Sequence, residues 1–377
     1  MTPKDQQLAE AMLTRSIALM RFTATERGNV LRLLRTMEEE LTELLTFSGK
    51  PLTAIKREDK ARLLRQAREI IDRMYGEVRD QVAGSLVDVG KIEAAAIVAG
   101  LSKAFQAMIE PNLPTDAYLK RIADNTLIDG APSAEWWQRQ AGDTLFRFKA
   151  AVQQGLAQGE TNAEIIQRVR GTANGFTMVE GKRVYNYTGG FMQATRANVA
   201  ALVQTSVQTV ANAARMDTFE ANDDVIKGLR QLSTLDSHTT PVCVAYSGAE
   251  WKMDEERTPV APNKLPFISP KGAATGTPRH WNCRSLMVPV TKTFRELGID
   301  LPEFPGTTRS ATGGPVAADM TFDAFLKRKG DAFADDLLGP GRAQLWREKK
   351  ITLTQLLDQN GRPLTLKELK RKYGAVQ

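Results

Sequence analysis

The sequence predicts a mainly α protein with a small α+β module. Three observations carry this expectation. Apolar residues recur three and four apart through most of the first 170 positions and again over about 191–222. Strand-like content is confined to short runs near 171–190 and 225–236. The two histidines and two cysteines fall together in the turn-rich stretches "STLDSHTTPVCVAYSG" (233–248) and "TPRHWNCRS" (277–285). The expected organisation is a helical scaffold or docking region over 1–140, a mixed module over 141–300, a linker over 301–320 and a basic helical unit over 321–377.

Each element follows from its pattern. In "LLRTMEEELTELL" (33–45), Leu33, Met37, Leu41 and Leu45 make one stripe, widened by Leu34 and Leu44. "REDKARLLRQAREIIDRMYGEV" (57–78) repeats it with Leu63, Ala67, Ile70, Met74 and Val78. Further helices are expected over 85–108 and 141–157, and Thr161-Asn162-Ala163-Glu164 reads as a capping box before "IIQRV". "MVEGKRVYNY" alternates around a glycine turn, which suggests a small hairpin or an exposed loop. No GxxxxGK[ST] or strand-GxGxxG-helix pattern is present, which argues against a phosphate cradle. The central helix buries Val199, Val203, Val207, Val210 and Ala214, with Leu202 beside them, and "VIKGLRQLSTLD" (225–236) follows as a strand. Residues 258–278 form an irregular excursion, and 302–315 have linker composition. Beyond 321, pairs such as Phe325-Leu326, Leu337-Leu338 and Leu356-Leu357 supply a core for short helices.

Composition narrows the classes. At 377 residues, with 42% hydrophobic and 25% charged content, the chain matches an ordinary soluble protein. Its start lacks a basic n-region and apolar h-region, and its most apolar run, "AAAIVAGL" (94–101), falls far short of the roughly 20 residues that span a bilayer. No membrane anchor is expected. Two cysteines exclude a disulfide framework. The net charge is +7, and residues 342–377 hold nine Lys/Arg against Glu348, Asp358 and Glu368, a local +6. Lys349, Lys350, Lys370, Arg371 and Lys372 are the candidate phosphate contacts; a solvated helix face is the plain alternative.

The His/Cys residues read His238-x4-Cys243, then His280-x2-Cys283. Two short ligand pairs flanking an excursion are a moderate signal for a tetrahedral structural Zn2+ site, with Asp236 in reserve as fourth ligand. Three readings compete with it. Cys243 and His280 are a candidate nucleophile and base; Asp236 and His238 suggest nuclease-type metal chemistry; or all four residues simply pack. Against catalysis, no helix start follows Cys243, and Pro241 precedes it. Asp236 is expected to make an Asx turn with Ser237, Thr239 and Thr240, and Arg284 to pair with Asp236 or another carboxylate of this module. Gly248 is expected in a tight turn and Trp251 in the core.

The order of features is recognisable. A helix "RANV…NAARMDTFEAN" leads to "VIKGLRQLSTLDSHTTPVC…SG…W" and, after a loop, "PRHWNCRS". Over about 140–290 this resembles the phage Mu F-like minor head (head morphogenesis) proteins of tailed bacteriophages, and 338–369 is similar to a segment at their C-terminus. The matching positions are Asp236, Thr239, Cys243, Gly248, His280, Cys283 and Arg284. Many members have Arg at the place of His238 and a second Cys at that of Thr240. The resemblance implies a non-enzymatic virion protein at the portal vertex or capsid interior, placed there from the host cytoplasm during assembly. Its implied partners are the portal protein, major capsid or scaffold proteins and packaged double-stranded DNA, with roles in head assembly and DNA packaging or ejection. The alternative is a Cys/His or metal-dependent hydrolase acting during packaging or entry.

Overall fold

A computed structural model describes residues 2–46, 57–105, 108, 110–179, 182–236, 238–268, 273–298, 300, 308–311, 314–317, 321–358 and 363–373. Helix dominates these residues, with short antiparallel strands, as the sequence predicts. The chain divides into two compact units. One comprises Met1–Arg21, Leu86–Asp129 and Val207–Gln377; the other comprises Phe22–Ser85 and Gly130–Ser206. Helices α1 (Pro3–Thr46), α2 (Arg57–Ala104) and α6 (Gly190–Glu220) contribute residues to both.

The second unit holds the α1 and α2 segments with α4 (Ser133–Gln158), α5 (Asn162–Arg170) and the hairpin β3 (Thr172–Val179)/β4 (Lys182–Thr188). Leu34, Met37, Leu41 and Leu45 are buried. On α2 the inward residue is Ile71 rather than Ile70, because a 3.6-residue period carries Leu63, Ala67, Ile71, Met74 and Val78 onto one face. The two helices expected over 57–78 and 85–108 are one 48-residue helix. Gly76, Gly84, Gly90 and Gly100 do not break it, since each costs only about 1 kcal/mol relative to alanine and packing on the buried stripe offsets that. The Thr161/Glu164 capping box starts α5 as expected. Glu38, buried on α1, accepts from Arg170 of α5 at 3.1 Å and from Arg196 of α6.

The first unit is built on a three-stranded antiparallel sheet, β6 (Glu250–Lys252), β5 (Ile226–Leu232) and β7 (Leu286–Thr291), with β5 in the middle. Leu229 pairs with Trp251 on one side and Pro289 on the other, and Leu232 pairs with Leu286. The sheet packs with Leu8, Met12, Ile97, Leu101, Phe105 and Phe219 in one apolar cluster. Trp251 is fully buried there, as expected. Glu93 of α2, also buried, is clamped by Arg215 of α6 at 2.6 and 2.9 Å and by Arg15 of α1 at 2.7 Å. A buried carboxylate needs such partners, because it would otherwise give up its hydration uncompensated.

The tail forms short helices: α8 (Phe322–Lys329), α9 (Asp331–Leu338), α10 (Pro340–Arg347), a 3-10 turn (Leu353–Leu356) and α11 (Leu366–Tyr373). Their core includes Leu235 and Val244, which lie within the first His/Cys stretch. Within the expected linker, β8 (Thr308–Ala311) pairs with β9 (Gly314–Ala317), while 301–307, 312–313 and 318–320 lie outside the described residues.

Candidate metal centre

The site grows from the end of β5. Past Leu232 the chain turns at Asp236, whose Oδ1 accepts from the His238 backbone N–H at 3.0 Å and the Thr239 hydroxyl at 3.1 Å. This is the expected Asx turn, although Ser237 lies outside the described residues. Arg284 closes it with a bidentate pair to Asp236 at 2.6 and 2.7 Å. Burial works against the Asp236 carboxylate, but the guanidinium outweighs it and holds the pKa below the ordinary range.

The first stretch was expected to be non-helical, without a helix start at Cys243. Instead Pro241–Tyr246 form a short helix, α7, and Cys243 sits in its first turn. Thr240 caps it through its side chain, and Pro241 has the fixed φ that suits the first helical position. Gly248, at φ +83, turns the chain back into β6. On the facing strand approach, Asn282 adopts φ +62, a left-handed conformation that asparagine tolerates, and this brings Cys283 round beside His280.

These turns bring Cys243, His280 and Cys283 together, with their ligand atoms all within 4.8 Å of one another. The Cys243 and Cys283 sulfurs are 3.6 Å apart and unbonded, and Cys243 Sγ lies 3.2 Å from His280 Nε2. Zn–S bonds of about 2.3 Å imply a tetrahedral S···S edge of about 3.8 Å and an S···N edge of about 3.5 Å. The spacing therefore fits a soft divalent ion. The ring supports this, because the Trp281 carbonyl, 2.8 Å from Nδ1, can only accept, leaving Nε2 to face the sulfurs.

His238 is exposed and outside this group, and Asp236 is engaged by Arg284. His238 does line a hollow of about 10 Å³ with Thr240, Cys243 and His280. Among the described residues, three protein ligands are brought together.

The electrostatics favour one shared proton between the cysteines. Cys283 is held well below the ordinary thiol range by hydrogen bonds from Cys243 and His280, against the cost of burial. Cys243, which donates to Cys283 and is buried, is pushed up. For His280, burial opposes the imidazolium, yet the bond to Cys283 and its charge carry the pKa above ordinary.

Thr240 was read in the sequence as a turn residue, while Ser233 and Arg279 were not singled out. Thr240 places its hydroxyl 2.9 Å from His280 Nε2. Ser233 bonds the Cys243 carbonyl at 2.7 Å and accepts from Ser285 at 3.1 Å. Arg279 is 1% exposed, donates to Gln231 at 2.6 Å and the Phe267 carbonyl at 2.9 Å, and lies 3.5 Å over the Tyr246 ring. Burial pushes its pKa down to about 10, opposed by the charges of Tyr246, Cys243 and Cys283. Its backbone N–H also bonds Cys283. The Thr-Pro start of α7 was a readable signal; a basic residue bound for the interior beside His280 was not.

The candidate basic contacts separate. Lys370, Arg371 and Lys372 lie on α11. Lys350 pairs with Glu348 at 3.0 Å, and Lys349 has a left-handed backbone past the end of α10. No described helix is long and apolar enough to cross a membrane.

Comparison with known proteins adds one match. No curated protein and no solved structure matches the chain. Residues 147–288 match the family model described as Phage Mu protein F like protein, a span that holds β5, α7 and all three clustered ligands. The stretch that carries this centre is therefore similar to phage Mu protein F-like proteins over 142 of the chain's 377 residues.

Proposed function

We propose that this chain is a minor head protein of a tailed bacteriophage and that Cys243, His280 and Cys283 hold a structural Zn2+ ion. The observation that carries the proposal is the burial of the three-ligand cluster inside the family module. A nucleophile needs room for its substrate. The hollow beside Cys243 holds about one water molecule, and Cys243 itself is 2% exposed. A clasp between two distant turns uses the same residues without that requirement. The ion would join the end of β5 to the turn before β7, with His238 as the nearest further donor.

On this reading the protein sits inside the capsid or at the portal vertex, with the portal and scaffold or major capsid proteins as partners. Lys349, Lys350, Lys370, Arg371 and Lys372 contact packaged DNA through phosphate, which predicts binding that weakens steeply with salt. Two measurements test the proposal. Purified heads should contain the protein, and heads made without it should fail in assembly or ejection; heads lacking it from the start would overturn the role. Unchelated protein should carry about one zinc per chain, and Cys283→Ala should lose it; a metal-free native protein would overturn the clasp.

A further inference from the structure

We propose that Cys243 and Cys283 are also an oxidation site, converted by a peroxide to an intramolecular disulfide that displaces any ion held there. The part concerning displacement rests on the zinc reading; the disulfide does not.

The geometry is already close. Both cysteines are free, their sulfurs are 3.6 Å apart, and a bond needs them at about 2.05 Å, a closure of about 1.5 Å. Rotation of two side chains supplies a movement of that size. Cys243 borders the hollow of about 10 Å³, room for about one molecule of water or peroxide size, whereas Cys283 does not border it. The two sulfurs therefore have distinct roles. Cys243 meets the oxidant, and Cys283 lies behind it within reach. The centre also keeps a fourth ligand position open, since His238 lies outside the group and Asp236 is bound by Arg284, although both sulfurs are nearly fully buried. Fully closed Cys-rich sites lack this opening.

The chemistry balances. The Cys243 sulfur attacks one oxygen of hydrogen peroxide, the O–O bond breaks, and the leaving hydroxide takes the Cys243 proton to become water. Cys243 is then a sulfenic acid. The Cys283 thiolate attacks the Cys243 sulfur, the S–O bond breaks, and the second hydroxide takes the proton that His280 Nε2 had held beside the sulfurs. Two thiols and one peroxide give one disulfide and two waters; the sulfurs are oxidised and the peroxide is reduced. Both thiolate ligands are consumed, so a bound ion loses two of its three protein donors.

The test uses the full-length chain, both chelated and zinc-loaded, titrated with hydrogen peroxide. Native thiols should fall from two per chain to none, one peptide pair linking Cys243 to Cys283 should appear by mass spectrometry, and dithiothreitol should restore both thiols. In the zinc-loaded protein, zinc release should follow thiol loss in step. Dimedone added with peroxide should tag Cys243 in the chelated wild-type chain, a readout that needs no variant. In Cys283→Ser the tag at Cys243 should persist instead of resolving. Thiols that stay free in folded protein, disulfides only between chains, or irreversible sulfinic acid at one cysteine would each overturn the proposal. Zinc-free native protein whose thiols still pair would sink the clasp and leave the oxidation site standing. Bound zinc with thiols that never pair, even after chelation, would do the reverse.

Discussion

Asp217 shows how one side chain writes a pH dependence into the fold. It sits partly buried on α6 and accepts from the Tyr118 hydroxyl at 3.2 Å. Burial pushes its pKa from the ordinary 3.8 up to about 6; Tyr118 and Arg121 act against the rise and Glu220 adds to it. The neutral acid is the form the folded chain prefers. Its contribution is therefore complete below the ordinary value and is lost as pH rises through about 6. Asp217→Asn keeps a neutral acceptor for Tyr118. The variant should show a flatter loss of Tm between about pH 4 and 7 than the wild type, with a higher Tm at neutral pH; an unchanged slope would refute the assignment. The same scale shows what the sequence carried. Asp236 with Arg284 and the clustering of Cys243, His280 and Cys283 were legible because charge, spacing and turn residues announced them. Arg279 was not, because its supports (Gln231, Phe267 and the Tyr246 ring) come from distant segments and none is an acid.

At the level of elements, starts and joins matter more than interiors. Thr161 caps α5 reciprocally with Glu164, and Thr161→Ala should cost about 1 kcal/mol in denaturant titration. Gly171, which ends the same helix, should be far less forgiving. Its φ is +90, and an added Cβ would lie 2.1 Å from the Thr188 carbonyl oxygen, where α5 hands over to the β3/β4 hairpin. Gly171→Ala should therefore destabilise well beyond Thr161→Ala, and similar losses in the two variants would contradict the close approach. Thr161 stood out as a cap in the sequence while Gly171 did not, and the central helix and β5 followed from their patterns. Helix α7 did not, because six residues give no period to read and only the Thr240-Pro241 start marks it. Continuous α2 was missed for the opposite reason: Gly76 and Gly84 look like breaks until the buried stripe on both sides is known.

For the molecule as a whole, the tail and the centre share a foundation. Leu235 and Val244 are buried in the cluster of Phe322, Phe325, Leu338 and Trp346, next to Asp236 and Cys243. Removing residues 321–377 would expose both, so the truncated chain should lose thermal stability and, if zinc is bound, hold it less firmly. A truncated chain with wild-type Tm would show that the tail is dispensable to the centre. The N-terminus is tied in just as remotely. Asp5, buried at the start of α1, accepts from the Thr291 backbone N–H at 2.7 Å and its hydroxyl at 2.8 Å, across 286 positions. A ribosome adding roughly 5 to 20 residues per second takes roughly 15 to 60 s to cover that interval. Throughout that time the Asp5 carboxylate lacks the two Thr291 donors that satisfy it in the folded chain, so this closure comes late in synthesis.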